Sequence, residues 1–387
     1  MKNILFVITN FRHGGINKSL ENLLSLIDKE KYQVDVFAME HYGPYVFMLP
    51  NCNILPKDRL LHALIAQFYD TKGSVKLKSL TLKVLSKLLV RFGIDLYDFL
   101  FKNTVRTISK NKTYDSVIAF SEGAPTKFTQ HFTTTNKIAW IHCDYKSYMT
   151  LNNHPDETKI YQAYESIVCV SEFTKDSFCK IISNLSCKTY AIHNVINVNE
   201  IKLLSQKIID EKYCNHDVFN IVSVGRINVV KRFDEIPKVV RILLDKGYNF
   251  NWILIGPEGQ QHEQKSLLEN IKKYRVEETF SWIGEKDNPY PFIKNSDLLV
   301  NMSISEACPY VINEAKVLHV PVVCTNFGSA VEFIDNDING FISPITSIAE
   351  TIEVLIKDQK LYNNLKNNIE KFSYNNDAIF NKIYDLL

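Results

Sequence analysis

The sequence predicts an α/β protein of two doubly wound, Rossmann-like parallel-sheet domains, and three observations predict it. Short apolar, β-rich runs alternate with longer helix-patterned segments along nearly all of the 387 residues. Those runs are continuously apolar rather than alternating, as strands covered on both faces are. The alternation also falls into two series, each opening on an apolar run that leads into a turn, in a chain too long for one small domain.

In the first series the expected strands are 4–9, 33–39, 116–120, 138–142, 167–170 and 189–193. In the second they are 220–224, 251–255, 279–283, 298–302, 320–325 and 340–343. Residues 1–196 then form the N-terminal domain and 218–370 the C-terminal one. Between them, 197–217 carries a helical stretch and the polar run Lys212-Tyr213-Cys214-Asn215-His216-Asp217, which suits an interdomain connection. Residues 371–387 read as a closing helix able to pack back on the first domain. Doubly wound sheets bind ligands at the carboxyl ends of their strands, so the two domains are expected to face each other across a ligand cleft.

Composition excludes wholesale disorder, with 45% hydrophobic and 23% charged residues. The net charge of +2 points to no nucleic-acid partner. It is nonetheless a cancellation: residues 1–195 carry 24 Lys and Arg against 17 Asp and Glu, and the remainder 21 against 26. The positive charge is densest over 72–112, where ten basic residues meet only Asp95 and Asp98. There Leu77, Leu80, Val84, Leu85, Leu88 and Phe92 share one helical face, and Lys76, Lys83 and Lys87 cluster on another. Such a helix either lays its leucines on the domain core or binds an anionic membrane surface.

The eight cysteines are scattered without a C-x-x-C pair, so buried free thiols in a reducing compartment are expected rather than a zinc site or disulfides. No apolar stretch reaches the roughly 18 to 20 residues of a membrane span. Met1-Lys2 followed by the apolar 4–9 imitates a signal peptide. The run is short and enters His13-Gly14-Gly15, so it reads as a first strand of a cytoplasmic protein.

Two blocks can carry chemistry. After the strand at 298–302 come Glu306, Cys308, Pro309, Tyr310, Val311 and Glu314, with Glu306 on a loop and Glu314 inside the following helix. The first turn of that helix would leave backbone N–H groups free for an anion, and a carboxylate beside it can accept bonds from sugar hydroxyls. After the strand at 220–224 come Gly225, Arg226 and Lys231, a guanidinium and an ammonium suited to a diphosphate. Either block alone reads more readily as a solvated surface pair. Neither a phosphate loop nor a dinucleotide fingerprint is present. Asp335-Asn336-Asp337 precedes a turn, and His142-Cys143-Asp144 lacks a third ligand, so neither is expected to bind metal. Tyr145, Tyr148, Phe120 and Trp140 could form an acceptor platform or belong to the core.

In their order, Gly14-Gly15, His142, Val170-Ser171-Glu172, Gly225-Arg226 with Lys231, Gly256-Pro257-Glu258-Gly259, Trp282-Ile283-Gly284, Glu306 to Glu314 and Gly328-Ser329 resemble the retaining family-4 glycosyltransferases of the GT-B fold. The resemblance spans nearly the whole chain and is thinnest over about 43–113. It implies that Arg226 and Lys231 neutralise the donor diphosphate, that Glu306 lies near the donor sugar and that Glu314 holds the ribose hydroxyls. Backbone at Ile283 and Gly284 would lie against the base, and backbone at Cys308, Pro309, Tyr310 and Val311 against phosphate and sugar. Gly14 and Gly15 would approach the diphosphate, and His142 would help fix the sugar. No metal or other cofactor is implied.

Two departures stand out. Ala307 and Cys308 occupy positions where the family has a glycine and an aromatic, and Arg232 follows Lys231 where glycine is common. The expectation is a cytoplasmic hexosyltransferase on the inner face of the plasma membrane. It would move a hexose or N-acetylhexosamine from a nucleotide sugar, UDP favoured, to a surface glycan or lipid-linked acceptor. A sugar-nucleotide epimerase or hydrolase, or a non-catalytic binding module, is the alternative.

Overall fold

The computed structural model describes all residues except 67–72, 135, 153–156 and 214–216. Lys72 and Cys214 therefore lie outside the described residues. The chain divides into two compact units, one of 1–196 with 376–387 and one of 197–375. The segment 197–217, expected as a connection, is thus counted with the second unit, beginning at the helix Val198–Leu204. The closing helix is Asn376–Leu386, and it belongs to the first unit. There Asn376 accepts from the N–H of Ile196 at 3.1 Å, and Lys2 Nζ donates to the Leu387 carbonyl at 2.9 Å.

The first unit is built on a seven-stranded sheet. Its strands are β1 (Lys2–Asn10), β2 (Tyr32–Glu40), β3 (Asn53–Ile54), β4 (Ser116–Ala119), β5 (Asn136–Ile141), β6 (Ser166–Cys169) and β7 (Thr189–Ala191), in the order β3-β2-β1-β4-β5-β6-β7. The second unit has six strands: β8 (Phe219–Val224), β9 (Phe250–Ile255), β10 (Phe280–Trp282), β11 (Leu298–Asn301), β12 (Val322–Thr325) and β13 (Gly340–Ser343). Their order is β10-β9-β8-β11-β12-β13. Both sheets are parallel and doubly wound, as the patterning predicts. Strand order reverses beside β1, which pairs with β2 and β4, and beside β8, which pairs with β9 and β11. Ligand crevices form outside the carboxyl ends at such reversals. Twelve of these strands fall on runs expected from sequence. The two-residue edge strand β3 does not, being too short to show any period.

Burial explains the continuous apolar runs. Ile4 to Ile8 of β1 and Leu298 to Val300 of β11 are all buried, because helices cover both sheet faces. In the second unit Trp252 is fully buried among Ile221, Leu254, Val300 and Leu267. Its indole N–H donates to Ser223 Oγ, which donates in turn to the Val300 carbonyl, so the polar handle of the ring is satisfied. In the first unit Phe37 and Phe101 pack on Phe128 in a cluster with Leu5, Val7 and Val117.

The helix Gly73–Val90 breaks this rule. Leu77 is 66% exposed, and Leu80, Val84, Leu85 and Leu88 are exposed with it, followed by Phe92 at 80%. The residues turned inward include Ser79 and Ser86, both buried, and Lys83, which donates to the Ala66 carbonyl. Of the two placements the sequence allowed, the one with the leucines on the core is therefore not adopted.

The expectation of buried thiols needs correction. Among the described cysteines only Cys169 and Cys324 are buried, Cys187 is exposed, and none is in a disulfide. Of the two roles open to the strand-end aromatics, the core is the one adopted, with Tyr148 half-buried beside it. Phe120, Trp140 and Tyr145 are buried in the core, where Tyr145 donates to Glu157 at 3.0 Å. Among the described residues, no helix is long and apolar enough to cross a membrane.

Candidate active site

The second unit assembles its site from the two loops that leave β8 and β11, the strands flanking the reversal. At the end of β8, Gly225 has φ +154°, and a Cβ at Gly256 would come within 1.8 Å of its carbonyl oxygen. Glycine at both positions lets the ends of β8 and β9 close against each other. The chain then turns through Asn228, whose Oδ1 accepts from the N–H of Lys231 at 2.9 Å. The Lys231 side chain passes over Gly225, with Cε 3.6 Å from where a Cβ would stand there. The loop after β11 is tied to this turn by the N–H of Ile304, which donates to the Val230 carbonyl at 2.8 Å.

These turns bring Lys231 and Glu306 into a partly buried ion pair. Glu306 Oε1 also accepts from Ser303 Oγ at 2.7 Å and Asn301 Nδ2 at 3.3 Å, while its own carbonyl accepts from Ser329 Oγ at 2.8 Å. The carboxylate is thus held in one orientation by donors from three elements. Cys324 lies close to this pair on β12, and burial together with the Glu306 charge pushes its thiol up to about 12. It is therefore no nucleophile.

Glu314 sits inside the helix Tyr310–Val317, as expected, and is buried. It accepts from Tyr290 OH at 3.0 Å. Tyr290, like Ser303 and Asn301, was not picked out from the sequence, and its one local signal is the Pro289-Tyr290-Pro291 run that opens the helix Tyr290–Lys294. Pro309 precedes the first turn of Tyr310–Val317, which no side chain caps. Cys308, Tyr310 and Val311 are all partly exposed around it. Arg226 is exposed at the end of β8.

At the end of β10, Gly284 takes φ +75°, a conformation that favours glycine. The N–H of Ile283 donates to Leu254, and the Gly284 carbonyl accepts from Gly256. Both are committed within the unit, leaving the Ile283 carbonyl and the Gly284 N–H as the groups that could meet a base. Arg232 has φ +51° and ψ +34°, which explains why glycine suits that position and why arginine there is strained.

In the first unit Gly14 and Gly15 begin the helix Gly15–Leu26, and no atom lies within 4 Å of a Cβ built on either. The loop before them is clamped by Asn17, whose Nδ2 donates to the carbonyls of Asn10 at 3.0 Å and Arg12 at 2.6 Å. Arg12 is anchored in turn on buried Glu40 at 2.9 Å. His142 follows β5. Its backbone N–H donates to Glu122 at 3.2 Å, and its ring packs 4.8 Å from Phe120. The residue as a whole is partly exposed, yet Nε2 has neither solvent contact nor a hydrogen-bond partner. Burial pushes the imidazole down to about 3, so it is neutral at physiological pH. Asp335 is engaged by Asn339 at 2.9 Å in the turn before β13. Among the described residues no three His, Cys, Asp or Glu are grouped to hold a metal.

Comparison with known proteins places this arrangement. HepE of Anabaena, solved in complex with UDP and glucose, superposes with a TM-score of 0.72 at 16% identity, covering 100% of this chain and 99% of that one. TarM of S. aureus, solved with UDP and glycan ligands, superposes at 0.70 with 13% identity, covering 100% and 99%. The two parallel-sheet units are those of the GT-B fold. The family model described as glycosyl transferases group 1 matches residues 205–372, which contain Arg226, Lys231, Glu306 and Glu314.

Among curated relatives, the capsular polysaccharide biosynthesis glycosyltransferase CapM of Staphylococcus aureus is 30% identical over 217 residues, 53% of this chain and 56% of that one. The amylovoran biosynthesis glycosyltransferase AmsD of Erwinia amylovora is 21% identical over 80% of this chain and 76% of its own. The chain spans about half the length of the first curated relatives it matches.

Proposed function

We propose that the chain transfers a hexose or N-acetylhexosamine from a nucleoside diphosphate sugar, UDP preferred, to a growing surface glycan or lipid-linked oligosaccharide, with retention of configuration. The observation that carries this reading is the Lys231–Glu306 pair on the two loops at the sheet reversal, beside the uncapped first turn of Tyr310–Val317. The UDP named with HepE and TarM supports the donor class, and the products named for CapM and AmsD support a surface polysaccharide.

The chemistry follows from charge. Breaking the anomeric bond places negative charge on the departing diphosphate and positive character on the sugar. Arg226, Lys231 and the N–H groups of the helix start would stabilise the diphosphate, doing the work that a metal ion does elsewhere. The donor meets a Lys231 already oriented by Glu306, and Glu306, relieved of part of that pairing, accepts from sugar hydroxyls. Glu314, steadied by Tyr290, would take the ribose hydroxyls. The leaving phosphate accepts the acceptor's proton on the face it vacates, which retains configuration. Neutral His142 can donate to or accept from a sugar hydroxyl but supplies no charge.

The enzyme would work at the inner face of the plasma membrane. Support comes from Gly73–Val90, whose outward leucines are flanked by Lys76, Lys78, Lys87 and Arg91, a match for an anionic leaflet.

The deciding experiment offers a panel of nucleotide sugars with a lipid-linked acceptor, in the presence and absence of EDTA, and reads the anomeric configuration of the product by NMR. Transfer with retention, undiminished by EDTA, is expected. Isomerised donor, hydrolysis alone or binding without turnover would replace this reading with the epimerase, hydrolase or binding-module alternative. Loss of transfer on chelation would overturn the metal-free mechanism.

A further inference from the structure

The first unit contains a cavity of about 570 Å³ on the flank of its sheet, within the size range of small-ligand pockets. It lies between β2 and β3, the start of the helix Arg59–Ile65 and the last turns of the helix Leu96–Asn111. Because side chains alternate along a strand, Asp35 and Phe37 of β2 point to the same side, and both line this space. The register pairs Asn53 with Asp35, which brings a third side chain to the floor.

The floor is polar but fully satisfied. Buried Asp35 accepts from Tyr114 OH at 2.6 Å, Lys112 Nζ at 3.1 Å and Asn53 Nδ2 at 3.2 Å. Asp58 caps the helix Arg59–Ile65 through the N–H groups of Leu60 and Leu61, and it accepts from Thr104 Oγ1 at 2.8 Å. With those groups spent on one another, what remains for a ligand is the apolar wall of Phe37, Leu55, Pro56 and Ile108, the exposed Thr107 and Asn111 side chains at its rim, and two exposed cations, Lys57 and Arg59. Among the described residues neither cation has an ion-pair partner. The cavity's lining thus carries three cations against two carboxylates, and the surplus is at the exposed positions.

We infer that this cavity is a binding site for a single-chain anionic amphiphile. Its hydrocarbon lies along Phe37, Leu55 and Ile108, and its phosphate is held by Lys57 and Arg59. An apolar wall with charge only at the exposed positions suits such a molecule. A nucleotide would leave its base and ribose donors unmet by the spent floor. The helix that begins at the cavity, Arg59–Ile65, packs against Gly73–Val90, the helix with outward leucines. The site is independent of the transfer reaction, so its test stands whether or not the proposed activity is found.

Calorimetric titration of the whole protein with myristoyl lysophosphatidic acid below its micelle concentration tests this. The neutral myristoyl glycerol and inorganic phosphate serve as separate probes. The anionic amphiphile is expected to bind with one site. Lys57→Glu with Arg59→Glu should weaken it about tenfold or more, the loss expected for charge-assisted contacts. Ile108→Trp, or Leu55→Trp if the first fails to fold by circular dichroism, should abolish binding by filling the cavity. Leu85→Glu with Leu88→Glu should leave it unchanged. Phosphate alone binding as tightly would mean an anion site without a chain, and myristoyl glycerol binding as tightly would mean a site without charge recognition. Loss in the Leu85/Leu88 variant, with no loss in the cavity variants, would move the lipid to the surface helix. Each of these three outcomes overturns the inference.

Discussion

The loop after β11 and the helix Gly73–Val90 break the same rule in opposite directions. The loop turns a carboxylate inward and satisfies it with Ser303, Asn301 and the Lys231 ammonium from the loop after β8. The helix turns leucines outward and buries Ser79 and Ser86 in their place. Folding alone favours neither arrangement, since a partly buried ion pair is weak evidence for stability and exposed leucines forgo burial. Their contrast teaches that polar groups can be gathered inward and apolar ones left outward in one chain, the first as the proposed donor site needs and the second as the proposed membrane contact needs.

The largest effect expected is at the ion pair. Glu306→Ala and Lys231→Ala should each lower transfer by about two to three orders of magnitude, the usual effect of removing an electrostatic stabiliser. The thermal midpoint should stay close to that of the parent. Turnover near normal in either variant breaks the comparison on the polar side. On the apolar side, Leu85→Glu with Leu88→Glu should cut co-sedimentation with phosphatidylglycerol vesicles about 100-fold, because two leucines lose their burial in the membrane. Unchanged sedimentation, or equal recovery of the parent on neutral vesicles, would make that helix an ordinary solvated one.

Two smaller effects sharpen the polar side. Tyr290→Phe removes one donor from Glu314 and should raise the donor KM about tenfold with kcat nearly unchanged. A fall in kcat at constant KM would instead place Tyr290 at the reacting atoms. Arg232→Gly relieves a left-handed arginine and should raise stability by about 0.5–1 kcal/mol in urea unfolding. A loss of stability would mean that the arginine side chain, not its backbone, matters at that turn.

Much of this was legible in the chain, and the failures have physical causes. Twelve strands showed because each is an apolar run long enough to display its pattern, whereas β3 consists of Asn53 and Ile54 alone. Arg226, Lys231, Glu306 and Glu314 stood out because glycine turns and a proline-started helix flank them. Their supports did not. Asn301, Ser303 and Tyr290 act only because β11 and two loops converge, and Asn17 and Glu122 only through side chains meeting neighbouring turns. Trp140 and Tyr145 went to the core, the role aromatics at strand ends more often have, although sequence alone leaves a ligand role open.

By itself, then, the sequence determined the doubly wound topology, the positions of the strand-end turns and the order of charged residues along them. All of these depend on chemistry within a few residues of chain. Tertiary structure alone decided that Lys231 meets Glu306 across 75 residues, that Asp35 is spent on Lys112 and Tyr114, and which side of Gly73–Val90 faces in. A helical wheel separates leucines from serines but carries no inward direction. That direction comes from what the neighbouring helices leave room to bury.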